Sequence, residues 1–216
     1  MKINRLVGIL MSMARPKKDQ DKKPSRELLL EAATEIIRTK GYSSTTVDDL
    51  CEKAGVSKGT FFHNFSSKED LAVAAANRWS EVTSAFFRAA PYHEKKNPLD
   101  RFLGYIHFRK EILKGDVPEF TCLVGTMVQE VYSSNPEINQ ACFHSIFGHA
   151  ETLEADIAEA KKLYAPKATW TAKSLALHTQ AVLQGSFILA KASGEAQRAL
   201  ESIDHLENYI NLLFKK

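Results

Sequence analysis

The sequence predicts an all-α protein in which three short helices precede a larger helical bundle, with about nine helices in total. Apolar residues recur at helical spacing in nearly every segment, and no segment shows the alternation of a half-buried strand. Glycine, proline and capping residues separate the segments. The chain has 216 residues, 44% of them hydrophobic, which is enough to bury a core in one large or two small domains.

The first predicted helix ends at Lys40, where Gly41 provides a C-terminal cap. Its apolar residues occupy one broad helical face: Leu28, Leu29, Ala32, Ala33, Ile36 and Ile37. We therefore expect this face to be buried.

The next two helices are short and follow each other closely. Thr46 can cap the second helix, which carries two aspartates in its first turn and ends at Gly55. Ser57 can cap a third helix, from about Lys58 to Phe65. Two helices joined by a short turn at a glycine have the arrangement of a helix-turn-helix.

A long fourth helix is predicted to open within residues 66–70 and to continue to about Ala90, before a break at residues 91–98. Periodicity and breakers then predict five further helices, at about residues 99–113, 120–133, 137–165, 170–193 and 200–213.

Charge is concentrated near the beginning of the sequence. The net charge is only +3, so no global field marks a nucleic-acid binder. Residues 14–26, however, contain six bases and two acids, a local charge of +4. We predict three regions: a flexible basic arm at residues 1–22, a helix-turn-helix domain at residues 23–83, and a helical domain at residues 84–216. Met1, Met11 and Met13 are all possible translation starts.

Several classes of protein are disfavoured by composition. The three cysteines (Cys51, Cys122 and Cys142) form no disulfide framework and suit a reducing cytoplasm. No apolar run reaches the roughly 18 residues of a membrane span. The apolar stretch at residues 6–13 lacks a convincing cleavage site, so we expect no signal peptide. We accordingly expect a cytoplasmic, nucleoid-associated protein.

The helix-turn-helix at about residues 46–65 has the features required to read DNA. Gly55 can adopt the left-handed conformation that the turn requires, and the small side chain of Cys51 allows the third helix to cross closely. Gly59 lets a second backbone approach. A helix of about eight residues spans roughly 12 Å, which matches the width of a major groove, about 12 Å.

The segment "VDDLCEKAGVSKGTFFHNFSSKEDL", residues 47–71, preceded by Thr45 and Thr46, closely resembles the DNA-binding domain of tetracycline-repressor-like (TetR/AcrR) regulators. The resemblance covers roughly residues 23–83. It implies a homodimeric repressor that leaves a palindromic operator in double-stranded DNA when a small molecule binds its C-terminal domain. The alternative is a helical ligand-binding or structural dimer that has lost DNA binding.

The resemblance also implies individual roles for residues. Phe61 and Phe65 should pack inward, and Lys68 should meet a phosphate. This sequence departs from the family at Cys51, where alanine is usual, and at Phe62, where a tyrosine hydroxyl usually bonds a phosphate. The implied DNA-contacting residues are Thr46, Ser57, Lys58, Gly59, Thr60, Phe62, His63, Asn64 and Lys68.

The C-terminal region supports weaker expectations. "DVPEFTCLVGTMVQEV", residues 116–131, resembles a subset of the family in which a thiol senses electrophiles, so Cys122 is either a redox or electrophile sensor or a small buried hydrophobe. His144 and His149 would lie about 140° apart on one helix, which disfavours a metal site. We find no catalytic constellation, and expect neither an enzyme nor a cofactor.

Two further patterns concern partners. Small residues in the helix at 170–193 and the apolar stripe of the last helix fit a four-helix dimer interface, although packing within one chain explains them equally well. The apolar stripe of the last helix consists of Leu200, Ile203, Leu206, Ile210 and Leu213.

The aromatic residues beyond position 85 are compatible with a pocket for an apolar or electrophilic effector, and most of them should be core.

Overall fold

The computed structural model describes residues 23–215 and confirms the all-α fold. Within this range the chain forms ten α-helices, one short 3-10 helix and no strand. No helix among these residues combines the length and the apolar character needed to cross a bilayer. The predicted basic arm at residues 1–22 lies outside the described residues, as do the alternative start positions.

The α-helices are α1 (Ser25–Lys40), α2 (Val47–Ala54), α3 (Lys58–Asn64), α4 (Lys68–Arg88), α5 (Pro98–Ile112), α6 (Val117–Phe120), α7 (Leu123–Val131), α8 (Pro136–Tyr164), α9 (Ala172–Ser193) and α10 (Ala196–Leu213). The 3-10 helix spans Pro91–Glu94. Most of the predicted boundaries agree with these to within a few residues.

The single helix predicted at residues 120–133 is wrong. The chain forms α6 and α7 instead, with a break at Thr121 and Cys122. Cys122 is extended (φ −85°, ψ 125°), and its Sγ accepts the N–H of Gly125 at 3.4 Å as an N-cap. The carbonyl of buried Thr121 accepts a hydrogen bond from Arg38 Nε at 2.8 Å. These contacts stabilise a break that apolar periodicity does not reveal.

The described residues divide into two compact units. The first unit consists of residues 23–83 and Thr121–Ser145, and the second consists of Ser84–Phe120 and residues 146–215. The predicted C-terminal domain, residues 84–216, stays a prediction, whereas this division by packing places Thr121–Ser145 in the first unit. The reason is that α7 packs on α1 inside the first unit, where the backbone of Thr121 also bonds Arg38.

The core of the first unit joins α1, α2 and α3. Leu29 of α1, Leu50 of α2 and Phe61 of α3 are completely buried. Helices of seven or eight residues are not stable alone in water, so this shared core is what keeps α2 and α3 folded.

The second unit contains a buried polar cluster among aromatic rings. Tyr105 of α5 is fully buried, and its hydroxyl accepts hydrogen bonds from Gln180 Nε2 at 3.0 Å and from Arg109 Nε at 2.9 Å. The same hydroxyl lies 3.0 Å from Nε2 of His149, which belongs to α8. Burial, reinforced by the nearby Arg109, lowers the pKa of His149 to about 3. The imidazole is therefore neutral, and Nε2 is the acceptor for the tyrosine proton.

This cluster predicts a stability that decreases with acidity. Between pH 6.5, the ordinary pKa of histidine, and pH 3, the unfolded chain binds a proton at His149 that the folded chain does not. Stability is therefore lost as pH falls through this window. Since His149 is only partly buried, we expect its contribution between pH 7 and pH 5 to be about 1–2 kcal/mol.

The measurement is urea denaturation of wild type and His149→Gln at both pH values. Carboxylates titrate in both proteins, so the informative quantity is the difference between their pH dependences. We expect the wild type to lose more stability than the variant. Parallel losses in the two proteins would contradict a neutral His149 in the folded protein.

Candidate nucleic-acid interface

A capping box fixes the beginning of α2. Thr46 Oγ1 accepts the N–H of Asp49 at 3.1 Å, and Asp49 Oδ2 accepts the N–H of Thr46 at 2.7 Å. Lys40, at the end of α1, forms an ion pair with Asp49 at 2.7 Å. The hydrogen bond from Lys40, followed by those from Thr46, holds the pKa of Asp49 well below its usual range. Thr46 is exposed at this helix start, and its predicted place near phosphates stays a prediction.

The turn between α2 and α3 depends on Gly55. Its backbone is left-handed (φ 67°, ψ 35°), as predicted, and the N–H of Val56 closes the helix by donating to Cys51 O at 3.0 Å. A Cβ at Gly55 would meet no atom within 4 Å. Glycine is therefore required here for its conformation and not for space. Cys51 is buried beside the turn, in agreement with the need for a small residue.

Side chains on opposite faces of α3 have different surroundings. Ser57 caps the helix by accepting the N–H of Thr60 at 3.1 Å. Phe61 and Phe65 are buried, which confirms that they pack inward. The guanidinium of Arg26 lies over the Phe65 ring at 5.1 Å. The inner face of α3 therefore anchors the helix to the rest of the unit.

The outer face of α3 carries four of the nine residues expected to contact DNA. Lys58, Gly59 and His63 are exposed, and so is Phe62, with 57% of its surface accessible. The only contact that a Cβ at Gly59 would make within 4 Å is with Ser57 Oγ, at an ordinary 3.7 Å. No requirement inside the described chain explains this glycine, and the open space around it would admit another backbone.

Ion pairing partly occupies Lys58. Its ammonium lies 2.7 Å from Asp48 Oδ1, and the hydrogen bond to this carboxylate raises the pKa of Lys58. Both side chains are largely exposed. A pair of this kind contributes little to stability, so the lysine can exchange the carboxylate for another partner.

Two other candidates are held by backbone carbonyls. Lys68 Nζ donates to the carbonyls of Tyr42 at 3.2 Å and Thr45 at 3.0 Å, and lies 4.3 Å from the centroid of the Tyr42 ring. Asn64 Nδ2 donates to Thr60 O at 2.7 Å. Lys68 therefore ties the start of α4 to the segment that precedes α2, and its predicted phosphate contact stays a prediction.

Sequence reasoning missed one participant in the first unit, Glu130 of α7. Its carboxylate accepts the N–H of Tyr42 at 3.0 Å and the N–H of Ser43 at 2.7 Å, which orders the segment that leads into α2. A Cβ at Gly41 (φ 87°) would lie only 2.5 Å from Glu130 Oε1. No local signal reveals this contact, because its partners are 87 and 88 residues apart in the chain.

The cysteines of the first unit include the predicted sensor. Cys122 is partly exposed at the N-terminus of α7, whereas Cys142 is fully buried. Burial, with a smaller contribution from Cys122, raises the pKa of the Cys142 thiol to about 12. Cys142 is therefore an inert thiol at neutral pH, and the sensor role of Cys122 stays a prediction.

Comparisons with known proteins agree with this geometry. The family model for bacterial regulatory proteins of the tetR family matches residues 29–75. The chain is 38% identical over 134 residues to the Bacillus subtilis protein named uncharacterized HTH-type transcriptional regulator YvkB, covering 61% of this chain and 68% of YvkB. It is 29% identical over 117 residues to the transcriptional regulator AcuR of Cereibacter sphaeroides, covering 54% of this chain and 53% of AcuR.

The match thus spans only about half the length of AcuR. Among solved structures, a transcriptional regulator of the TetR family from Agrobacterium tumefaciens aligns with a TM-score of 0.74 at 18% identity. That alignment covers 86% of this chain and 96% of the other. It demonstrates a shared fold.

The turn geometry predicts that Gly55→Ala destabilises the protein without a steric clash. An alanine in the left-handed conformation costs about 1–2 kcal/mol, and Gly55→Asn should cost less because asparagine tolerates this conformation. Urea denaturation followed by circular dichroism would measure both changes. Gly148→Ala, at an exposed and unobstructed position in α8, is the matched control and should be neutral or stabilising. Equal effects at positions 55 and 148 would contradict the turn argument.

Proposed function

Because the chain belongs to the TetR family of bacterial regulatory proteins, we propose that it binds a palindromic operator as a homodimer and represses transcription until a small molecule binds its second unit. The observation that carries the DNA-binding part is the outer face of α3, where Lys58, Gly59, Phe62 and His63 are exposed. The inner face of the same helix is anchored by the buried Phe61. The protein then works at the chromosome, in the cytoplasm.

The proposed mechanism inserts the N-terminal end of α3 into the major groove. Seven residues span about 10 Å, and the groove is about 12 Å wide. Lys58 and Thr60, in the first turn, read base edges. Phe62 contacts sugar or a thymine methyl, since it lacks the hydroxyl that would bond a phosphate. Thr46 and the start of α2 lie against the backbone, because exposed N–H groups at a helix start favour anions.

The ion pair of Lys58 gives this mechanism a selective element. On the operator, Lys58 leaves Asp48 for a base edge, and Asp48 is then exposed near phosphates that repel it. A sequence that gives Lys58 an acceptor recovers the small energy of the broken pair, and a sequence without an acceptor does not. Most of the discrimination therefore comes from the new contact with the base.

Exposed apolar residues in the second unit support the dimer. In α9, Ala181, Ile188 and Ala192 are exposed and share a helical face with partly exposed Gly185. Leu212 of α10 is 76% exposed. Apolar surface of this kind marks a protein interface when it is contiguous. The stripe predicted for this role needs correction, because Ile203, Leu206 and Ile210 are buried inside the protomer.

The small residues of α9 also fall into a buried set and an exposed set. Ala176, Ser186 and Ala190 are buried within the chain, so they pack against neighbouring helices of the same protomer. Only the outward-facing members are available to a second copy. In a dimer built on them, the two copies of α3 would lie about 34–36 Å apart, one turn of DNA, when bound to the operator.

The proposed DNA-binding surface predicts distinct DNA-binding defects for two lysines. Lys58→Ala should cost about 1–3 kcal/mol at one or two operator positions and relax the preference there. Lys68→Ala should weaken binding to all sequences, with a smaller salt slope by roughly one charge if Lys68 meets a phosphate. An unchanged slope with weaker binding would mean that Lys68 acts only by positioning the segment before α2.

The measurement uses duplexes selected from a random pool and titrated at two salt concentrations. Lys53→Ala removes the same charge from α2 at a residue paired with Glu35 of α1, and should leave affinity nearly unchanged. If both Lys58→Ala and Lys68→Ala bound like wild type while remaining folded, α3 would not be the reading helix. The alternative of a dimer without DNA binding would then be favoured.

Restoring the family's usual hydroxyl is a gain-of-function test. Phe62→Tyr should tighten binding by about 0.5–1.5 kcal/mol, the worth of one net hydrogen bond. The same titrations measure it, with Phe62→Leu as the control that keeps an apolar side chain. Weaker binding by Phe62→Tyr than by Phe62→Leu would show that residue 62 faces bases instead of a phosphate.

The proposed dimer interface predicts that a charge introduced on α9 separates the two protomers. Light scattering at micromolar concentration should give twice the mass of one chain for wild type and a single-chain mass for Ile188→Glu, because the glutamate would be desolvated in the dimer. Leu163→Glu changes a residue of α8 that is 59% exposed, and should stay dimeric. A monomeric wild type would remove the dimer from the proposal.

A further inference from the structure

Arg109 differs from other cationic residues that pack between helices of the second unit. Arg101 forms ion pairs with Asp156 and Glu159 of α8. Lys110 likewise pairs with Asp204 and Glu207 of α10. Arg109 is only partly exposed, yet no carboxylate of residues 23–215 lies within ion-pair distance of it. A partly buried cation is commonly paired with a counter-charge.

One edge of the Arg109 guanidinium is held firmly. Nε donates to Tyr105 Oη at 2.9 Å, and Nη2 lies 3.3 Å from His149 Nε2, whose single lone pair it shares with the tyrosine hydroxyl. The guanidinium also lies over the Phe87 ring, 4.4 Å from its centroid. Since Nε and Nη2 form one side of the planar group, these contacts fix its plane and its direction.

The opposite edge is available. Arginine has five N–H groups, and Tyr105 and His149 use one each. The N–H pair shared by Nη1 and Nη2 at the end of the group has no acceptor among the described residues. That pair has the fork geometry that binds the two oxygens of a carboxylate.

No group in contact with Arg109 neutralises its charge. Gln180 and Tyr105 are buried and uncharged, and His149 is neutral because burial lowers its pKa to about 3. The site therefore keeps one positive charge that no neighbouring group of the described residues compensates. One negative charge balances it, whereas a phosphate dianion would leave an excess.

The rings of Phe87 and Tyr105 lie against the Arg109 guanidinium, and the rings of Phe86 and Phe108 pack on Phe87. Phe87 lies 5.3 Å from Phe86, 5.7 Å from Phe108 and 5.7 Å from Tyr105, measured between ring centroids. Phe86 and Phe108 are incompletely buried. A ligand that presents a carboxylate to Arg109 can therefore place an apolar body against these two rings.

We propose that Arg109, oriented by Tyr105 and His149, is the binding site for a small organic carboxylate with an apolar body, and that such a compound is the effector of this regulator. The effector part rests on the proposed function; the binding site does not. Tyr105, His149 and Gln180 are positioning residues, and Arg109 contacts the ligand.

A purely structural role for Arg109 makes a different prediction. The contacts with Phe87, Tyr105 and His149 would then be sufficient, and the free edge would bind no anion better than a neutral analogue. Binding experiments that compare an acid with its own amide separate these roles, because the pair differs in charge and hardly in shape.

The test is the thermal shift and calorimetric titration of the wild-type chain with benzoate, phenylacetate and hexanoate, each beside its primary amide. We expect at least one acid to raise the melting temperature and its amide to have little effect. In Arg109→Gln, the affinity for that acid should fall about tenfold or more, as expected for a lost charge-assisted hydrogen bond. Arg109→Lys, which keeps the charge without the fork, should be intermediate.

Arg198→Gln is the matched control, since it removes an exposed arginine of α10 that pairs with Glu195 and Glu201. It should bind the acid like wild type. Circular dichroism verifies that each variant is folded. If Arg109→Gln is not folded, Arg109→Lys replaces it as the test variant. The binding site is excluded if no acid binds better than its amide, or if the folded Arg109 variants bind the acid as tightly as wild type.

A second arm tests the effector part with the selected duplexes. The acid should release wild-type protein from DNA and leave Arg109→Gln bound. Binding of the acid without release would overturn the effector role and support the site. Failure of the wild type to bind any duplex in the absence of acid would instead refute the proposed function, and is distinguishable because acid binding is measured without DNA.

Discussion

The burial of Phe61 against α1 and α2 is the contact on which the position of α3 and its exposed outer face depends. With seven and eight residues, α3 and α2 are too short to be stable as isolated helices. They persist because one face of each is buried, while Thr46, Gly55 and Ser57 satisfy or terminate their ends. Because the inner face of α3 supplies its contacts with the core, the outer face does not have to be buried, and Phe62 and Lys58 are exposed there.

Charges are treated differently in the two units, and the difference follows from solvent exposure. Around the interface, Lys58 and Asp48 form a pair in water that exchanges at little cost. In the second unit, partly buried Arg109 is stabilised by Tyr105, His149 and the face of Phe87. A partly buried positive charge without a carboxylate partner favours the binding of an anion more than a fully exposed charge does.

Much of the first unit could be predicted because its determinants are local. The capping box joins Thr46 and Asp49, which are three residues apart, and the left-handed turn depends on Gly55 alone. Both features can be predicted from a few neighbouring residues. Features that depend on residues far apart in the sequence could not be predicted. The helix predicted at residues 120–133 is interrupted because Arg38 bonds Thr121 across 83 residues, and the stripe of α10 packs inward because α5 and α9 cover it.

The sequence alone therefore determined the helical class, the helix-turn-helix and the inward packing of Phe61 and Phe65, since spacing and capping are properties of neighbouring residues. Only the tertiary structure decided that Glu130 orders the segment before α2, that Lys68 bonds two carbonyls, and that Arg109 lacks a carboxylate partner within residues 23–215. The physical reason is that hydrogen bonds and ion pairs act over a few ångströms. Which groups come within that range depends on how helices from distant parts of the chain pack.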